Sequence, residues 1–436
     1  MTDGLEGWIA RQRAVAADQL LAAVSATDIV KERPGFAQTI RPKPGSILAS
    51  PVPAAYDPDP DYFFHWLRDG AVVADALNLL ATQGRAEAAR KYEAYLAFSL
   101  DLCRLSGAAL VKDGAPIDRA GEFWKQYVRP TDELAAIEGD EVLAEPRYNP
   151  DGTLDILKWS RPQHDGTAMR ALSNLRWRLP LSHDARRVRD ELIARDLDFT
   201  ERRHASPSVD IWEEESGFHF YTRLVQHEAL AKGALWAKER GDEARAARYG
   251  AAASALWAAL DDFWSETDGY YRSRLPGEGV DPSKALDGAT LLAVLHAGRS
   301  EGPFSPRDPR VAATGRAMER LFAQEYPLNH DRPPGHGVAL GRYTGDLYYS
   351  GGPYWFTTLA WAELLYLRAA ASGDGSDFEA GEAILRTVRR FTPDSGEMAE
   401  QIDKVTGEAC SARRLTWSYA AFLTAARARE AAQARL

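Results

Sequence analysis

Apolar residues recur at three- and four-residue intervals over most of the chain, the spacing that gathers them on one face of an α-helix. The pattern runs through residues 5–24, 71–83 and 86–105, and returns over 166–178, 184–199, 218–240 and 242–264. It continues over 286–297, 309–324, 354–371, 378–391 and 416–432. About twelve helices are therefore expected. Stretches of strict apolar–polar alternation, the mark of a half-buried strand, are scarce.

Between these helices lie polar connections at 32–60, 111–160, 265–284 and 326–352, which hold most of the prolines and glycines. They also hold most of the clustered aromatic and acidic residues, so they read as loops that build a site. Helices in sequential pairs with rich loops on one side imply an all-α fold: an (α/α)6 barrel with an inner and an outer ring. An open solenoid of helical hairpins is the competing all-α architecture, but it carries a repeat of about 34 or 40 residues, and no such repeat is seen. No low-complexity linker divides the chain, so a single domain over 1–436 is expected.

The 436 residues carry a formal net charge of −10. That argues against a nucleic-acid partner, which needs a basic face, and the charges are too dispersed to form a polybasic membrane anchor. No window approaches the roughly 18 apolar residues of a membrane span. The first residues are acidic and helical in spacing, unlike a secretory leader, so a cytoplasmic location is expected. Cys103 and Cys410 are the only cysteines; two buried free thiols are favoured over one bridge. No cofactor is indicated: there is no phosphate loop, no His-Glu-x-x-His and no paired-cysteine metal site. The twelve tryptophans and seventeen tyrosines do change the picture, because sugar-binding clefts use aromatic faces against the C–H side of a pyranose.

Polar and aromatic residues crowd together in a few segments. Asp61-Tyr-Phe-Phe-His-Trp-Leu-Arg-Asp69 pairs Arg68 with Asp69 beside Tyr62 and Trp66. Such a pair can grip vicinal hydroxyls from both the donor and the acceptor side, although Asp69 also suits a helix cap. Lys158-Trp-Ser-Arg-Pro-Gln-His-Asp-Gly166 contains Trp159, Arg161 and Asp165, with Asp165 again a candidate cap. Asp210-Ile-Trp-Glu-Glu-Glu-Ser-Gly217 sets Glu213 and Glu214 beside Trp212. A carboxyl held against an apolar ring is pushed towards the protonated form that a general acid needs; the alternative is a solvated acidic first turn of a helix. A glycine-rich stretch from Gly341 carries Arg342 and Trp355, and Glu400 precedes the last helix.

Taken in order, these segments resemble the glucoamylases of glycoside hydrolase family 15. The resemblance includes Gly45-Ser-Ile-Leu-Ala-Ser-Pro51, Trp-Leu-Arg-Asp at 66–69, Arg-Pro-Gln-His-Asp-Gly at 161–166 and Asp-Ile-Trp-Glu-Glu at 210–214. It extends to Gly-Arg-Tyr at 341–343, Met-Ala-Glu-Gln at 398–401 and Ser-Ala-Arg-Arg-Leu-Thr-Trp-Ser-Tyr at 411–419. It implies an (α/α)6 barrel and an inverting hydrolase with Glu213 as general acid and Glu400 as general base, a pair that stands ~6.5–9.5 Å apart. It assigns substrate contacts to Tyr62, Trp66, Arg68, Asp69, Trp159, Arg161, Asp165, Trp212, Glu214, Arg342 and Trp355. Trp159 and Trp212 are expected to keep Glu213 protonated, and arginines to keep Glu400 ionised. The implied partner is an α-glucan oligosaccharide that yields β-D-glucose from its non-reducing end, handled by a monomer or weak homo-oligomer. A trehalase or glucodextranase shares the same non-reducing-end subsite and remains open at this point, as does a glucan-binding regulatory protein.

Overall fold

The computed structural model describes residues 4–436 apart from 57, 113, 278 and 279. Those four positions fall in expected loops and lie outside the described residues. Twelve long helices form: α1 Leu5–Ala23, α2 Leu67–Thr82, α3 Ala86–Leu102, α4 Asp165–Arg176, α5 His183–Arg203 and α6 Phe220–Glu239, then α7 Glu243–Leu260, α8 Ala289–Ala297, α9 Pro309–Glu325, α10 Trp355–Ser372, α11 Gly375–Phe391 and α12 Thr416–Gln433. Among the described residues four short α-helical turns and one 3-10 helix decorate the connection between α3 and α4. No single described helix is long and apolar enough to cross a membrane.

The even-numbered helices close a ring: α2 packs on α4, α4 on α6, α6 on α8, α8 on α10, α10 on α12, and α12 back on α2. Odd-numbered helices cover it from outside, as α1 does on α12, α3 on α2, α5 on α4, α7 on α6 and α11 on α10. This is the (α/α)6 barrel expected from the periodicity. Sequence explains which helix goes where. α10 buries side chains all round, with Phe356, Leu359, Trp361, Leu364 and Tyr366 pointing in different directions, as an inner helix must. α7 buries only Tyr249, Ala252, Ala253, Leu256 and Leu260, a stripe at three- and four-residue spacing.

The two ends of the barrel differ. Turns from an inner to the next outer helix are short, as at 83–85, 240–242 and 373–374. Outer-to-inner connections are long: 24–66, 103–164, 204–219, 261–288, 326–354 and 392–415. All six long connections therefore gather at the N-terminal end of the inner ring. Helix capping follows the same division. Outer helices α5, α7, α9 and α11 start on Ser182, Asp242, Asp308 and Asp374, whose side chains accept backbone N–H groups. None of the inner helices has such a bond from its N-cap residue. Their positive dipole ends converge on a region rich in carboxylates, where they favour negative charge.

Among the described residues five two-stranded antiparallel ribbons stiffen the long connections, including β1 (Lys31–Arg33) with β2 (Gln38–Ile40) and β7 (Trp264–Ser265) with β8 (Tyr270–Tyr271). Three of them matter for the site: β3 (His65–Trp66) with β4 (Arg147–Tyr148), β5 (Ser208–Val209) with β6 (Ser216–Gly217), and β9 (Gln401–Ile402) with β10 (Ala409–Cys410). Cys103 and Cys410 are both free thiols and half-buried, less enclosed than expected.

Candidate active site

A cavity of about 550 Å³ opens at the loop-bearing end of the barrel. Tyr62, Trp66, Arg68, Asp69, Trp159, Trp212, Glu213, Glu214, Arg342 and Glu400 all line it. Residues from five of the six long connections thus meet in one pocket, drawn from segments far apart in sequence.

Glu213 sits at the tip of the β5–β6 hairpin, not on a helix, so the solvated first-turn alternative falls. Asp210 organises the tip: its Oδ1 accepts the N–H groups of Glu214 at 2.7 Å and Glu215 at 3.0 Å. Glu213 itself has φ of 68°, the left-handed region that non-glycine residues avoid. Such strain persists only where the surroundings over-determine it, and it concentrates at functional sites. The carboxyl accepts hydrogen bonds from Trp66 Nε1 at 2.9 Å, Arg68 Nη2 at 3.2 Å, Gln163 Nε2 at 2.9 Å and Trp159 Nε1. The expected shielding by Trp212 is not what forms. Trp212 turns its N–H to Asp287, 2.9 Å from each carboxylate oxygen, and Trp159 offers Glu213 a polar N–H rather than an apolar face. Each of these four partners of Glu213 is a donor, so the contacts are aimed at negative charge on its oxygens.

Glu400 comes from the opposite side. It precedes β9, and Gln401 pairs with Cys410 in the ribbon, so the register sets Ser411 against Glu400. The Ser411 hydroxyl donates to Glu400 Oε2 at 2.5 Å, and Tyr62 Oη reaches Oε1 at 3.4 Å while bonding Tyr348 Oη at 2.8 Å. Ser411 too is left-handed, with φ of 62°. Burial pushes Glu400 up to about 7, against the lowering effects of the Ser411 hydroxyl and Arg342. The expectation that arginines keep this group ionised is corrected here: among the described residues no arginine bonds to it, and desolvation outweighs the pull of Arg342. The loops carrying the two carboxyls lead into α6 and α12, which stand three places apart in a ring of six, so Glu213 and Glu400 face each other across the mouth.

The floor of the pocket belongs to α2 and α4. Arg68 and Asp69 lie inside the first turn of α2, so Asp69 is no cap. Trp66 holds the cap position and is fixed through β3 to β4, where Arg147 packs 3.7 Å from the Trp159 ring centre. Asp165 is the first residue of α4, and its carboxylate takes Arg68 Nη1 at 2.8 Å. This contact needs Gly166: a Cβ there would meet Leu67 Cβ at 2.7 Å. Burial raises Asp69 to about 6, opposed by Arg68.

Three expected substrate contacts do not reach the cavity wall. Asp165 is buried beneath Arg68 and orients it. Arg161 turns away to Glu145 at 2.6 Å and Asp155 at 3.3 Å, donating also to the Trp159 carbonyl. Trp355 is packed into the core, 1% exposed, and its neighbour Phe356 lines the pocket instead.

On the outer side, Glu214 meets Lys284 Nζ at 2.9 Å, Arg342 Nη2 at 3.0 Å and the Tyr343 hydroxyl. Arg342 is clamped in turn by Asp346 and surrounded by the rings of Trp212, Tyr343, Tyr348 and Tyr354. Among the described residues no cluster of three or more His, Cys, Asp or Glu is arranged to hold a metal.

The family model for glycosyl hydrolases family 15 matches residues 35–377 and 376–427. The chain belongs to this family. Among its family 15 relatives, Glucoamylase 1 of Rhizopus oryzae is 28% identical over 443 aligned positions, covering 90% of this chain and 68% of the relative. The family 15 glucoamylase of Hypocrea jecorina superposes with a TM-score of 0.79 at 24% identity, over 98% of this chain and 72% of that one, and shares the fold. The glucoamylase of Hormoconis resinae gives 0.76 at 25% identity, over 98% and 74%. Within this family 15 site, sequence reading missed Gln163, Asp287, Tyr348, Ser411 and Trp417 as functional positions. Gln163, Ser411 and Trp417 lie inside the segments that carried the resemblance; Asp287 and Tyr348 gave no separate signal.

Proposed function

We propose that this family 15 enzyme is an inverting, exo-acting α-glucosidase of the glucoamylase type, releasing β-D-glucose from the non-reducing ends of α-gluco-oligosaccharides. The observation that carries the reading is the placement of Glu213 and Glu400 on facing sides of one enclosed pocket. Arg68 and Asp69 lie at its floor, suited to gripping the hydroxyls of a terminal glucosyl unit. The relatives named as glucoamylases support the same substrate class.

In this reading Glu213 gives its proton to the glycosidic oxygen as the bond from that oxygen to C1 breaks. A water attacks C1 from the opposite face, and Glu400 takes its proton, so the new hydroxyl is β. Charge develops on Glu213 as its proton leaves, and the indole, guanidinium and amide donors already aimed at it stabilise that charge without reorganisation. Tyr62 and Ser411 orient Glu400, the other half of the pair. Afterwards Glu213 is a carboxylate and Glu400 is protonated, and a proton must return before the next cycle.

Proton NMR of the purified protein with maltose, isomaltose, nigerose and trehalose tests this directly. Early accumulation of the β-anomer of glucose supports inversion, and the fastest substrate sets the linkage. Early α-glucose would overturn the mechanism, and no cleavage of any of the four would overturn the activity.

A further inference from the structure

The third glutamate of Glu213-Glu214-Glu215 has no part in the pocket. Glu213 and Glu214 line the cavity, whereas the Glu215 carboxylate turns to the connection between α7 and α8. There it accepts Arg274 Nη1 at 2.8 Å, and Lys284 Nζ stands 2.8 Å from its other oxygen. Arg274 is 3% exposed and reaches beyond Glu215. Its Nη2 donates to Asp287 Oδ2 at 2.9 Å. The same nitrogen stands 4.0 Å from Asp210 Oδ2, an oxygen with no hydrogen-bond partner among the described residues. Nε is used as well, on the Ser273 hydroxyl at 2.9 Å. One buried guanidinium thus faces three carboxylates.

Each of the three holds a different part of the hairpin that carries Glu213. Asp210 accepts the N–H groups of Glu214 and Glu215. Asp287 accepts the indole N–H of Trp212, the residue just before Glu213. Glu215 closes the tip, its carbonyl accepting the Asp210 N–H at 2.9 Å. The backbone of Arg274 bridges His219, so the cation is fixed to the chain that leads from the hairpin into α6. Carboxylates buried together repel unless a cation lies between them, and a planar fork donates to Glu215 and Asp287 from separate nitrogens, which a lysine cannot do. Burial pushes Asp287 up to about 7 against the pull of Arg274. Glu213, with φ of 68°, keeps its left-handed backbone only while its neighbours over-determine it.

We propose that Arg274 is a positioning residue for the acid: by neutralising Asp210, Glu215 and Asp287 together, it holds the hairpin so that the Glu213 carboxyl stays aimed at the glycosidic oxygen. The inference rests on the glucosidase reading above and adds to it a residue that acts through the hairpin rather than on the sugar.

The test measures kcat and KM on maltose and on α-glucosyl fluoride, whose leaving group needs little protonation, for the wild type, Arg274→Gln, Arg274→Lys and Glu215→Gln. A displaced acid harms only the substrate that needs it. Arg274→Gln is expected to lower kcat on maltose about 10–100-fold, the scale of a reacting group misplaced by about 1 Å. KM on maltose and kcat on the fluoride each stay within about threefold of the wild type. Arg274→Lys keeps the charge, loses one arm of the fork and recovers part of the loss. Glu215→Gln leaves Arg274 its bonds to Asp287 and Ser273, and shows the same pattern in smaller size, about three- to tenfold on maltose. Should Arg274→Gln fail to fold, Glu215→Gln decides by the same comparison. If kcat falls equally on both substrates, or KM rises in place of a fall in kcat, this inference alone fails. A wild type that cleaves neither substrate overturns the glucosidase reading and the inference with it.

Discussion

Replacing Ser411 with alanine removes the hydroxyl that donates to Glu400 at 2.5 Å and leaves the ribbon backbone in place. A hydrogen bond to a charged group contributes about 1.5–3 kcal/mol, and one pKa unit corresponds to about 1.4 kcal/mol. Losing it should therefore raise the Glu400 pKa by about one to two units from the value near 7 that burial already imposes. The base works only when deprotonated, so activity is present above its pKa and is lost as pH falls through it. In the wild type the acid limb of kcat/KM for maltose is expected near pH 7. In Ser411→Ala it moves to about 8–9, and activity at pH 6 drops by more than about tenfold. Ser411→Gly gives the same pH shift, but glycine relieves the left-handed backbone at φ 62°, so it is more stable than the alanine variant by about 1 kcal/mol. Measured from pH 4 to 10, an acid limb that stays put or moves down in both variants would refute the assignment of Glu400 as the base. So would a loss of equal size at every pH.

Other consequences are as direct. Glu213→Gln and Glu400→Gln each lower kcat on maltose by about 10²–10⁴, but on α-glucosyl fluoride, whose leaving group needs little protonation, Glu213→Gln loses much less than Glu400→Gln; equal losses would break the division of roles. Asp165→Asn weakens the buried clamp on Arg68 and costs about 2 kcal/mol in denaturant unfolding, with a raised KM because Arg68 is no longer held against the sugar site. Trp355→Phe, a core change away from the cavity wall, costs about 1–3 kcal/mol of stability and leaves KM for maltose within about twofold; a large rise in KM would return Trp355 to the substrate.

Each of the twelve helices was legible in periodicity, because an inner or outer helix must bury a stripe or more of its surface. Their starts were less so. α2 begins at Leu67, not at 71, because its first turn faces the pocket and is built from Arg68 and Asp69, which break the apolar pattern. Helix periodicity also misplaces Trp355: successive residues on a helix point about 100° apart, so Phe356 enters the cavity while Trp355 enters the core. The hairpin that carries Glu213 had no readable signal, since its paired strands are two residues long and a glutamate with positive φ is not a sequence preference. Ser411 was within reach as part of a recognised segment, yet its contact with Glu400 exists only through the register of a two-residue ribbon. Residue identity could be read position by position, whereas the hydrogen-bond partners of Glu213 could not, because Trp66, Arg68, Trp159 and Gln163 converge only after the ring closes.

Ring order divides this site into two parts held by different elements. The pocket floor, where the terminal sugar is proposed to bind, is the first turn of α2, which α4 buttresses through Gly166 and Asp165, and both are inner helices in direct contact. Glu213 and Glu400, the acid and base proposed above, enter over α6 and α12 at opposite points of the ring, so their facing arrangement follows from closure of the barrel rather than from any one loop. On the outer side of the pocket stands a different set of groups, Glu214, Lys284 and Arg342, which come from the connections before α6, α8 and α10 and hold one another by ion pairs at 2.9 and 3.0 Å. Substituting Lys284 releases one corner of that network without touching α2, Glu213 or Glu400. Lys284→Ala should therefore change the relative kcat/KM on maltose and isomaltose by several-fold, a difference of about 1 kcal/mol, while the released sugar stays β. Loss of β-selectivity in that variant would mean that the outer network also positions the catalytic pair.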